Sequence, residues 1–269
     1  MDKASSGRPH NGVILEASPL PRPPLVKLRA SSVDGAYFHV DLDSQSREEK
    51  LVNGTETRVA YKSGGWRHPF LLYVDGVLDE GNLGAIARSA YFLGVDAIAT
   101  PTRQSAPWSH IALKASAGAA EAIPIFAVKQ PAAFLAESAR EGWRIYASDA
   151  VPADEPLSDL STSTPAKSDG SAEDGSSSIV FKHARHPKVL PVGHSPVASH
   201  PTILMMGAEG TGLRTSLLNQ AHYIVGIRAG RDASEVGVDS LNVSAASALL
   251  CFEFLKRPAQ QRNSAQSLF

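Results

Sequence analysis

Residues 203–214 have the sequence Ile-Leu-Met-Met-Gly-Ala-Glu-Gly-Thr-Gly-Leu-Arg, in which an apolar run precedes a glycine-rich turn with one carboxylate, Glu209. A short apolar run bounded by glycines is typical of a buried strand in a parallel sheet. Gly207, Gly210 and Gly212 predict positive φ angles and a close approach between the backbone and a ligand. Open α/β sheets bind ligands where their strands end, so this turn is a candidate binding loop.

The bulk composition limits the possible classes of protein. The chain has 269 residues, 43% hydrophobic and 20% charged, which is enough for one sizeable α/β domain. A net charge of -1 means that RNA binding would need a local basic patch. The single cysteine, Cys251, excludes a disulfide framework or a paired-cysteine metal site and fits an intracellular or organellar compartment. No apolar run approaches the roughly 18 residues of a membrane span, so we expect no membrane partner.

Alternating strands and helices begin after the first quarter of the chain. Residues 70–74 predict a buried strand, and 83–93 predict a helix. Asn82 is its expected N-cap and Gly94 its end, and residues 95–99 predict the next strand. Such a βαβ unit implies a parallel sheet. Further strands are predicted over 123–126, 143–147, 203–206 and 223–227, and helices over 108–121 (or a pair of turns), 132–141, 214–220 and 241–256. The predicted fold class is α/β, a mostly parallel sheet flanked by helices.

The first 68 residues differ from the rest. Four prolines between 19 and 24 indicate a stiff linker, and short strands are predicted over 11–15 and 36–40. Residues 41–57 are polar and rich in turn formers. The segment 1–68 is too small to bury a core of its own, so we interpret it as a looser piece, the end of a domain that lies upstream.

Residues 69–257 form the main predicted domain, and 258–269 form a flexible tail. An insertion at about 152–198 interrupts this domain, and its part 158–178 is rich in Ser, Asp and Gly with almost no apolar residues. Such a composition cannot bury enough surface to offset the entropy of ordering, so we expect the insertion to be disordered.

Polar residues accompany two of the predicted loops near the strand ends. Arg88 is the one charged residue between Asn82 and Gly94. A lone arginine on an apolar helix usually has an anionic or polar partner, although a solvated side chain is the simpler explanation. Glu209 either caps backbone N–H groups or binds Arg88 or a substrate hydroxyl.

A third loop, after the strand predicted over 223–227, carries Ser240, Asn242 and Ser244 at the start of the last helix. Helix capping alone would explain these residue types. Three such loops in one chain, each following a strand, favour a common site.

Four motifs carry a resemblance to a known family. Residues 78–90, Leu-Asp-Glu-Gly-Asn-Leu-Gly-Ala-Ile-Ala-Arg-Ser-Ala, are similar to the first motif of the SpoU/TrmH branch of the SPOUT RNA 2′-O-ribose methyltransferases. Residues 206–213 resemble the second motif and 239–246 the third, while 114–121 are also similar to the family. The match extends over about 69–256 in the right order.

Within this branch, the sequence most resembles the mitochondrial large-subunit rRNA methyltransferases, relatives of bacterial enzymes that methylate a guanosine ribose in 23S rRNA. Residues 9–17 resemble the junction that follows the N-terminal L30e-like RNA-binding domain of that group, so 1–68 would contain a remnant of it. The resemblance implies a mitochondrial location and large-subunit rRNA as the partner.

The resemblance also implies a homodimer and a deep C-terminal trefoil knot that forms a pocket for S-adenosylmethionine, with no metal. Backbone groups of Gly207, Ile227 and Leu241 would hold the adenosine part of this cofactor, and Val243 and Ser244 would complete its site. These five residues are therefore the expected cofactor-binding set.

The implied reaction is an in-line attack of a ribose 2′-hydroxyl on the sulfonium methyl group of the cofactor. Arg88 would orient or activate that hydroxyl, with an RNA phosphate as its partner. An arginine keeps its proton, so a role as general base is not favoured. Asn82, Glu209, Ser240 and Asn242 would form the supporting polar network.

Two other functions stay open on the sequence. A non-catalytic RNA-binding ribosome-assembly factor could have the same fold, although the intact Asn82, Arg88, Glu209 and Asn242 argue against it. A dinucleotide-binding protein could use the loop 207–212, but the sequence lacks the GxGxxG order after its first strand.

Overall fold

The computed structural model describes residues 17–149, 178–231 and 240–258 except 32, 34, 187 and 192, together with residues 3, 7, 12 and 13. The strands are β1 (Leu25–Leu28), β2 (Tyr37–Leu42), β3 (Arg58–Ala60), β4 (Phe70–Val74), β5 (Ala97–Pro101), β6 (Ile125–Val128), β7 (Arg144–Ser148), β8 (Ile179–His183), β9 (Thr202–Met206) and β10 (Tyr223–Ile227). The helices are α1 (Arg47–Asn53), α2 (Glu80–Leu93), α3 (His110–Ser116), α4 (Ala119–Ala122), α5 (Pro131–Arg140), α6 (Pro196–Ser199), α7 (Thr215–Leu218) and α8 (Val243–Leu255). Among the helices of these described segments, none combines the length and the apolar character needed to cross a membrane.

Seven of these strands form one sheet in the order β6-β5-β4-β9-β7-β10-β8. Neighbours run parallel, except that β8 is antiparallel to β10. The predicted α/β class with a mostly parallel sheet is therefore confirmed. β9 lies between β4 and β7, and Val74 pairs with Met206 where β4 and β9 end. The loops that follow β4 and β9 consequently start side by side.

Helices cover both faces of the large sheet. On one face, α2 and α8 pack on each other and on Phe70, Leu72 and Leu204. On the other face, Leu71 of β4 and Leu135 of α5 share a second buried cluster. Every residue of β4 and β9 is buried, and all but Thr202 are apolar or aromatic, so these strands do not alternate, as expected for the centre of a parallel sheet.

The strands and helices predicted after residue 69 are present with ends shifted by at most two residues, except at the start of α2 and over 108–121, where the predicted helix is divided into α3 and α4. Asn82 is not the N-cap. The carboxylate of Asp79 accepts a hydrogen bond from the Asn82 backbone N–H at 2.6 Å, so the helix begins three residues earlier than predicted. Gly94 ends α2 with a φ of 95°, as predicted.

The strands β1, β2 and β3 form a small antiparallel sheet within the segment 1–68. Phe38 and Val40 lie in the same buried cluster as Leu71 and Tyr73 of the large sheet. The expected looser piece thus packs onto the main domain, since its apolar residues have no sufficient core of their own. The division of the chain at residue 68 stays a prediction.

The elements predicted within this first segment have different outcomes. Residues 41–57, expected to consist of turns, contain the helix α1. Ser46 and Glu49 form a capping box at its start, but α1 buries no residue and so shows no apolar stripe. The strand predicted over 36–40 is confirmed as β2, whereas the one over 11–15 lies outside the described residues except for 12 and 13.

Within the insertion predicted over 152–198, residues 179–183 form a strand and residues 196–198 lie in α6, so the expectation of disorder is wrong there. Ile179–His183 form β8, whose Val180 and Phe181 are buried, and β8 pairs along the length of β10. The apolar residues in this strand provide the buried surface that the Ser-rich part lacks. Residues 158–177 lie outside the described residues.

A cluster of aromatic and histidine rings surrounds Tyr146 of β7. The Tyr146 hydroxyl lies 2.9 Å from Nε2 of both His194 and His200, and the ring of Tyr223 stacks on that of Tyr146 at 4.7 Å. One hydroxyl has one proton to donate, so at least one of the two imidazoles donates its Nε2–H to the hydroxyl oxygen. Burial and then the neighbouring cations lower the pKa of His200 to about 3, and burial also lowers the pKa of His194.

These pKa values predict how stability depends on pH. A histidine in the unfolded chain takes up a proton near pH 6.5, whereas His200 in the folded protein does so only near pH 3. The free energy of unfolding should therefore fall as pH decreases below about 6.5, by up to about 1.4 kcal/mol per pH unit for each such histidine. Urea denaturation at pH 7.5, 6.0 and 5.0 measures this slope.

The substitution His200→Gln removes one of the contributing groups and should make the slope shallower. The matched control is His39→Gln, because His39 is exposed and should leave the slope unchanged. Equal slopes for the wild type and both variants would contradict the assignment of the acid sensitivity to this cluster.

Candidate functional site

Three loops meet at the carboxyl edge of β4 and β9, and the side chain of Asn242 links them. Its Nδ2 donates to Oδ1 of Asn82 at 3.1 Å and to Oε1 of Glu209 at 2.9 Å. Asn82 lies in the first turn of α2, Glu209 in the glycine-rich loop after β9, and Asn242 at the start of α8. Residues predicted on three separate loops are thus joined by hydrogen bonds through Asn242.

The glycine-rich loop is a closed hairpin. Ala208 and Gly212 exchange two backbone hydrogen bonds, of 3.2 and 3.0 Å. Gly210 and Gly212 have the predicted positive φ angles, of 79° and 65°. The prediction is wrong for Gly207, whose φ is not positive; a Cβ there would lie 2.4 Å from the Gly212 carbonyl carbon. Gly207 is therefore required by the close return of the chain itself.

Asn242 is the N-cap of α8, and its amide group is fully used. Oδ1 accepts hydrogen bonds from the Ser244 backbone N–H at 3.0 Å and from the Ser244 hydroxyl at 2.6 Å. Oε1 of Glu209 also accepts from the Val243 backbone N–H at 3.3 Å. Glu209 therefore caps the first turn of α8, and the alternative in which it pairs with Arg88 is not observed.

The other predicted site residues are Arg88, Ser240, Leu241 and Ile227. Arg88 is exposed on α2, six residues beyond Asn82, and forms no hydrogen bond or ion pair with another described residue. Ser240 and Leu241 are exposed and directly precede the Asn242 cap. Ile227 is the last residue of β10, which β7 separates from β9.

An ion pair that the sequence prediction missed lies beside the hairpin, between a buried carboxylate and a partly exposed guanidinium. Asp75, directly after β4, is bound by Arg214 in a bidentate pair, with Nε–Oδ2 and Nη2–Oδ1 distances of 2.9 and 2.7 Å. The hydrogen bonds that the Asp75 carboxylate accepts raise the pKa of Arg214, and burial followed by the charge of Asp75 raises the pKa of Tyr73. Asp75 directly follows a predicted strand and Arg214 follows the glycine-rich turn, but nothing in the spacing of the sequence links these two residues.

The backbone of Gly207 offers unpaired polar groups at the same edge. Gly207 is buried, yet neither its N–H nor its carbonyl makes a backbone hydrogen bond to another described residue. The apolar side chain of Leu241 is 46% exposed. Across the described segments, no group of three or more His, Cys, Asp or Glu side chains is arranged to hold a metal ion.

The role of the Asn242 amide can be tested with Asn242→Asp. Aspartate keeps the capping oxygen but loses both donors and places a second carboxylate against Glu209. We expect a loss of unfolding free energy of about 1–3 kcal/mol at pH 7, and a smaller loss at pH 4, where the introduced aspartate begins to take up a proton. Urea denaturation of variant and wild type at each pH measures both values.

The matched control is Asn219→Asp, which makes the same change at an exposed position that ends α7. It should change the stability by no more than a few tenths of a kcal/mol at either pH. Equal losses of unfolding free energy in Asn242→Asp and Asn219→Asp would contradict this interpretation.

Comparison with known proteins places this arrangement in a family. Residues 69–252, more than half of the chain, match the model of the SpoU rRNA methylase family. The mitochondrial rRNA methyltransferase 1 of Schizosaccharomyces pombe is 31% identical over 256 residues, which cover 95% of this chain and 71% of that protein. The 23S rRNA (guanosine-2′-O-)-methyltransferase RlmB of Pseudomonas aeruginosa is 30% identical over 189 residues, covering 70% and 59%.

A crystal structure of an AdoMet-bound rRNA methyltransferase from Sinorhizobium meliloti is also similar, with 25% identity and a TM-score of 0.45 over 70% of this chain and 56% of that one. The chain thus spans less than two thirds of the length of both bacterial proteins. The matched range contains all three loops linked by Asn242. The chain therefore belongs to the SpoU rRNA methylase family.

Proposed function

We propose that this protein is an S-adenosylmethionine-dependent methyltransferase that methylates a ribose 2′-hydroxyl in rRNA. The observation that carries the proposal is the hydrogen-bonded meeting of Asn82, Glu209 and Asn242 at the carboxyl edge of the sheet, in a chain of the SpoU family. A guanosine of the mitochondrial large-subunit rRNA is the proposed target. The names of the relatives in Schizosaccharomyces pombe and Pseudomonas aeruginosa support that choice.

The residues of the site fit the cofactor. Adenosine needs fixed hydrogen-bond partners and an apolar surface, and the buried Gly207 backbone and the partly exposed Leu241 side chain supply both kinds of group. We assign Gly207, Ile227 and Leu241 to its adenosine part, with Val243 and Ser244 beside them. The bound cofactor supplies an electrophilic methyl group on a sulfonium.

We propose separate roles for the polar side chains of the site. The Asn242 amide uses all its hydrogen-bonding capacity on Asn82, Glu209 and Ser244, so Asn242 sets the shape of the site and is not free to bind RNA. Arg88, exposed and without a partner among the described residues, is available to bind an RNA phosphate and orient the 2′-hydroxyl. Ser240 would join the polar rim. Fixed positioning of the nucleophile contributes much of the rate in such a reaction.

We also propose that the C-terminal segment threads through a loop of the chain as a deep trefoil knot. Two hydrogen bonds to Glu209 support this proposal, one from the Asn242 side chain and one from the Val243 backbone N–H. They hold the start of α8 against the glycine hairpin. Knots are rare exceptions among protein folds, so the family membership is an essential part of the argument.

The proposed assembly is a homodimer through α2 and α8. These two helices pack on each other and expose large apolar side chains: Tyr91, Phe92, Leu249 and Phe252. Phe92 is 86% exposed and Phe252 59%. Apolar side chains grouped in this way on a soluble domain favour a protein interface, and a second copy of the chain is the proposed occupant.

Binding of S-adenosylmethionine and methylation of RNA test the proposed activity in sequence. Isothermal titration calorimetry should show saturable binding to the wild type, and Leu241→Trp should abolish it by filling the mouth of the pocket. Arg88→Ala should retain binding but lower kcat for methylation of large-subunit rRNA by about 100-fold or more. Transfer of a labelled methyl group measures kcat.

Two control variants make the same changes elsewhere. Leu51→Trp alters an exposed leucine of α1 and should leave binding intact, and Arg47→Ala removes an exposed arginine from the same helix and should leave kcat intact. A folded wild type that binds no S-adenosylmethionine would exclude the methyltransferase for this chain and favour the non-catalytic RNA-binding factor.

The homodimer is tested by sedimentation velocity. Phe252→Asp buries a charge in the proposed interface and should convert a dimer into a monomer at micromolar concentration. The control is Leu51→Asp, which places the same charge at another exposed apolar position. A monomeric wild type, or dissociation by both variants alike, would remove the interface from the proposal.

A further inference from the structure

The ion pair between Asp75 and Arg214 joins the two loops that carry Asn82 and Glu209. The side chain of Asp75 is 3% exposed, and its backbone N–H donates to the Met206 carbonyl at 2.9 Å. Asp75 therefore stands where β4 and β9 end together. A bidentate arginine–carboxylate pair fixes distance and orientation at once.

Arg214 directly follows the glycine hairpin. Leu213, its neighbour, is buried, and the hairpin closes on Gly207 through the backbone of Gly212 and Leu213. The ion pair thus holds the base of the hairpin, which contains Glu209 between Ala208 and Gly212. A rotation of the base would move the Glu209 carboxylate away from Asn242.

A third loop is held by the same guanidinium. Nη1 of Arg214 donates to Oε1 of Gln104 at 3.0 Å, and Gln104, in the loop after β5, has a φ of 60°. A glutamine seldom adopts this left-handed conformation, and such strain persists only where surrounding contacts enforce it. Nε, Nη1 and Nη2 are therefore all engaged within the protein.

We propose that Arg214 is a positioning residue that acts through Glu209. Its three contacts to Asp75 and Gln104 hold the hairpin so that Oε1 of Glu209 meets the Asn242 amide and the first turn of α8. The effect on methylation rests on the proposed function, whereas the effect on the hairpin does not. Lysine cannot replace the arginine, because one ammonium group cannot make the bidentate pair and also bind Gln104.

The chain contains a matched control at the opposite end of β4. Arg67 binds Asp96 in a second bidentate pair, with distances of 2.7 and 2.8 Å, and both side chains are buried. Arg67→Lys removes the same kind of interaction far from the hairpin. It should lower the stability of the whole domain without acting on Glu209 in particular.

Amide hydrogen exchange of the full chain gives a readout that needs no activity. In Arg214→Lys, the amides of Gly212 and Val243, which bond Ala208 and Glu209, should exchange at least about 10-fold faster than in Arg67→Lys. Gln104→Asn should give a smaller change in the same direction, since asparagine tolerates the positive φ but is too short to reach Arg214. This variant serves as the test if Arg214→Lys does not fold.

A double-mutant cycle then links the ion pair to catalysis. Arg214→Lys should lower kcat about 10-fold in the wild-type background and have little further effect in a Glu209→Gln background. Arg67→Lys should change kcat by the same factor in the wild-type and Glu209→Gln backgrounds. Equal exchange at Gly212 and Val243 in the two lysine variants, or additive losses of kcat, would overturn the proposal. If the wild type has no activity, the proposed function fails, and the exchange experiment still decides the role of Arg214.

Discussion

The parallel pairing of β4 with β9 is the constraint on which the site depends. The two strands are paired along their full length and end together at Val74 and Met206. All their residues are buried, so a shift by one residue would move the apolar side chains of both sheet faces out of register. Because this register is fixed, Asp75 and Gly207 leave the sheet at the same level. The loops that carry Asn82 and Glu209 then need only short paths to meet.

The polar network around Asn242 connects α8 to the two loops that the paired strands bring together. Asn242 brings the start of α8 to the two loops, and its four hydrogen-bonding positions are all occupied by protein groups. In contrast, Arg88 keeps its guanidinium exposed. The site therefore separates residues that set its geometry from a residue that is available to an anionic partner. Such a division suits a reaction in which the cofactor provides the electrophile and the protein provides positioning.

The sequence was informative wherever a local pattern determines the structure. The apolar runs of β4 and β9 and the glycine-rich turn predicted buried strands and a loop at the sheet edge, and the motifs predicted the family. The start of α2 was missed because Asp79 and Asn82 are equally good caps three residues apart. The helix α1 was missed because it buries nothing. The pair of Asp75 and Arg214 was beyond prediction, since 139 residues separate them and only the folded sheet brings them together.

The hydrogen bond between Asn82 and Asn242 has a consequence for the biogenesis of the protein. It spans 160 positions of the chain, and contacts of such separation form late and slowly in folding. On the ribosome, the sheet strands β4 and β5 emerge long before residue 242 does. Asn82 and Glu209 are therefore synthesised before Asn242, to which both bind. A nascent chain can consequently contain most of the sheet strands while the site is still unformed. The site can form only after the start of α8 has been synthesised.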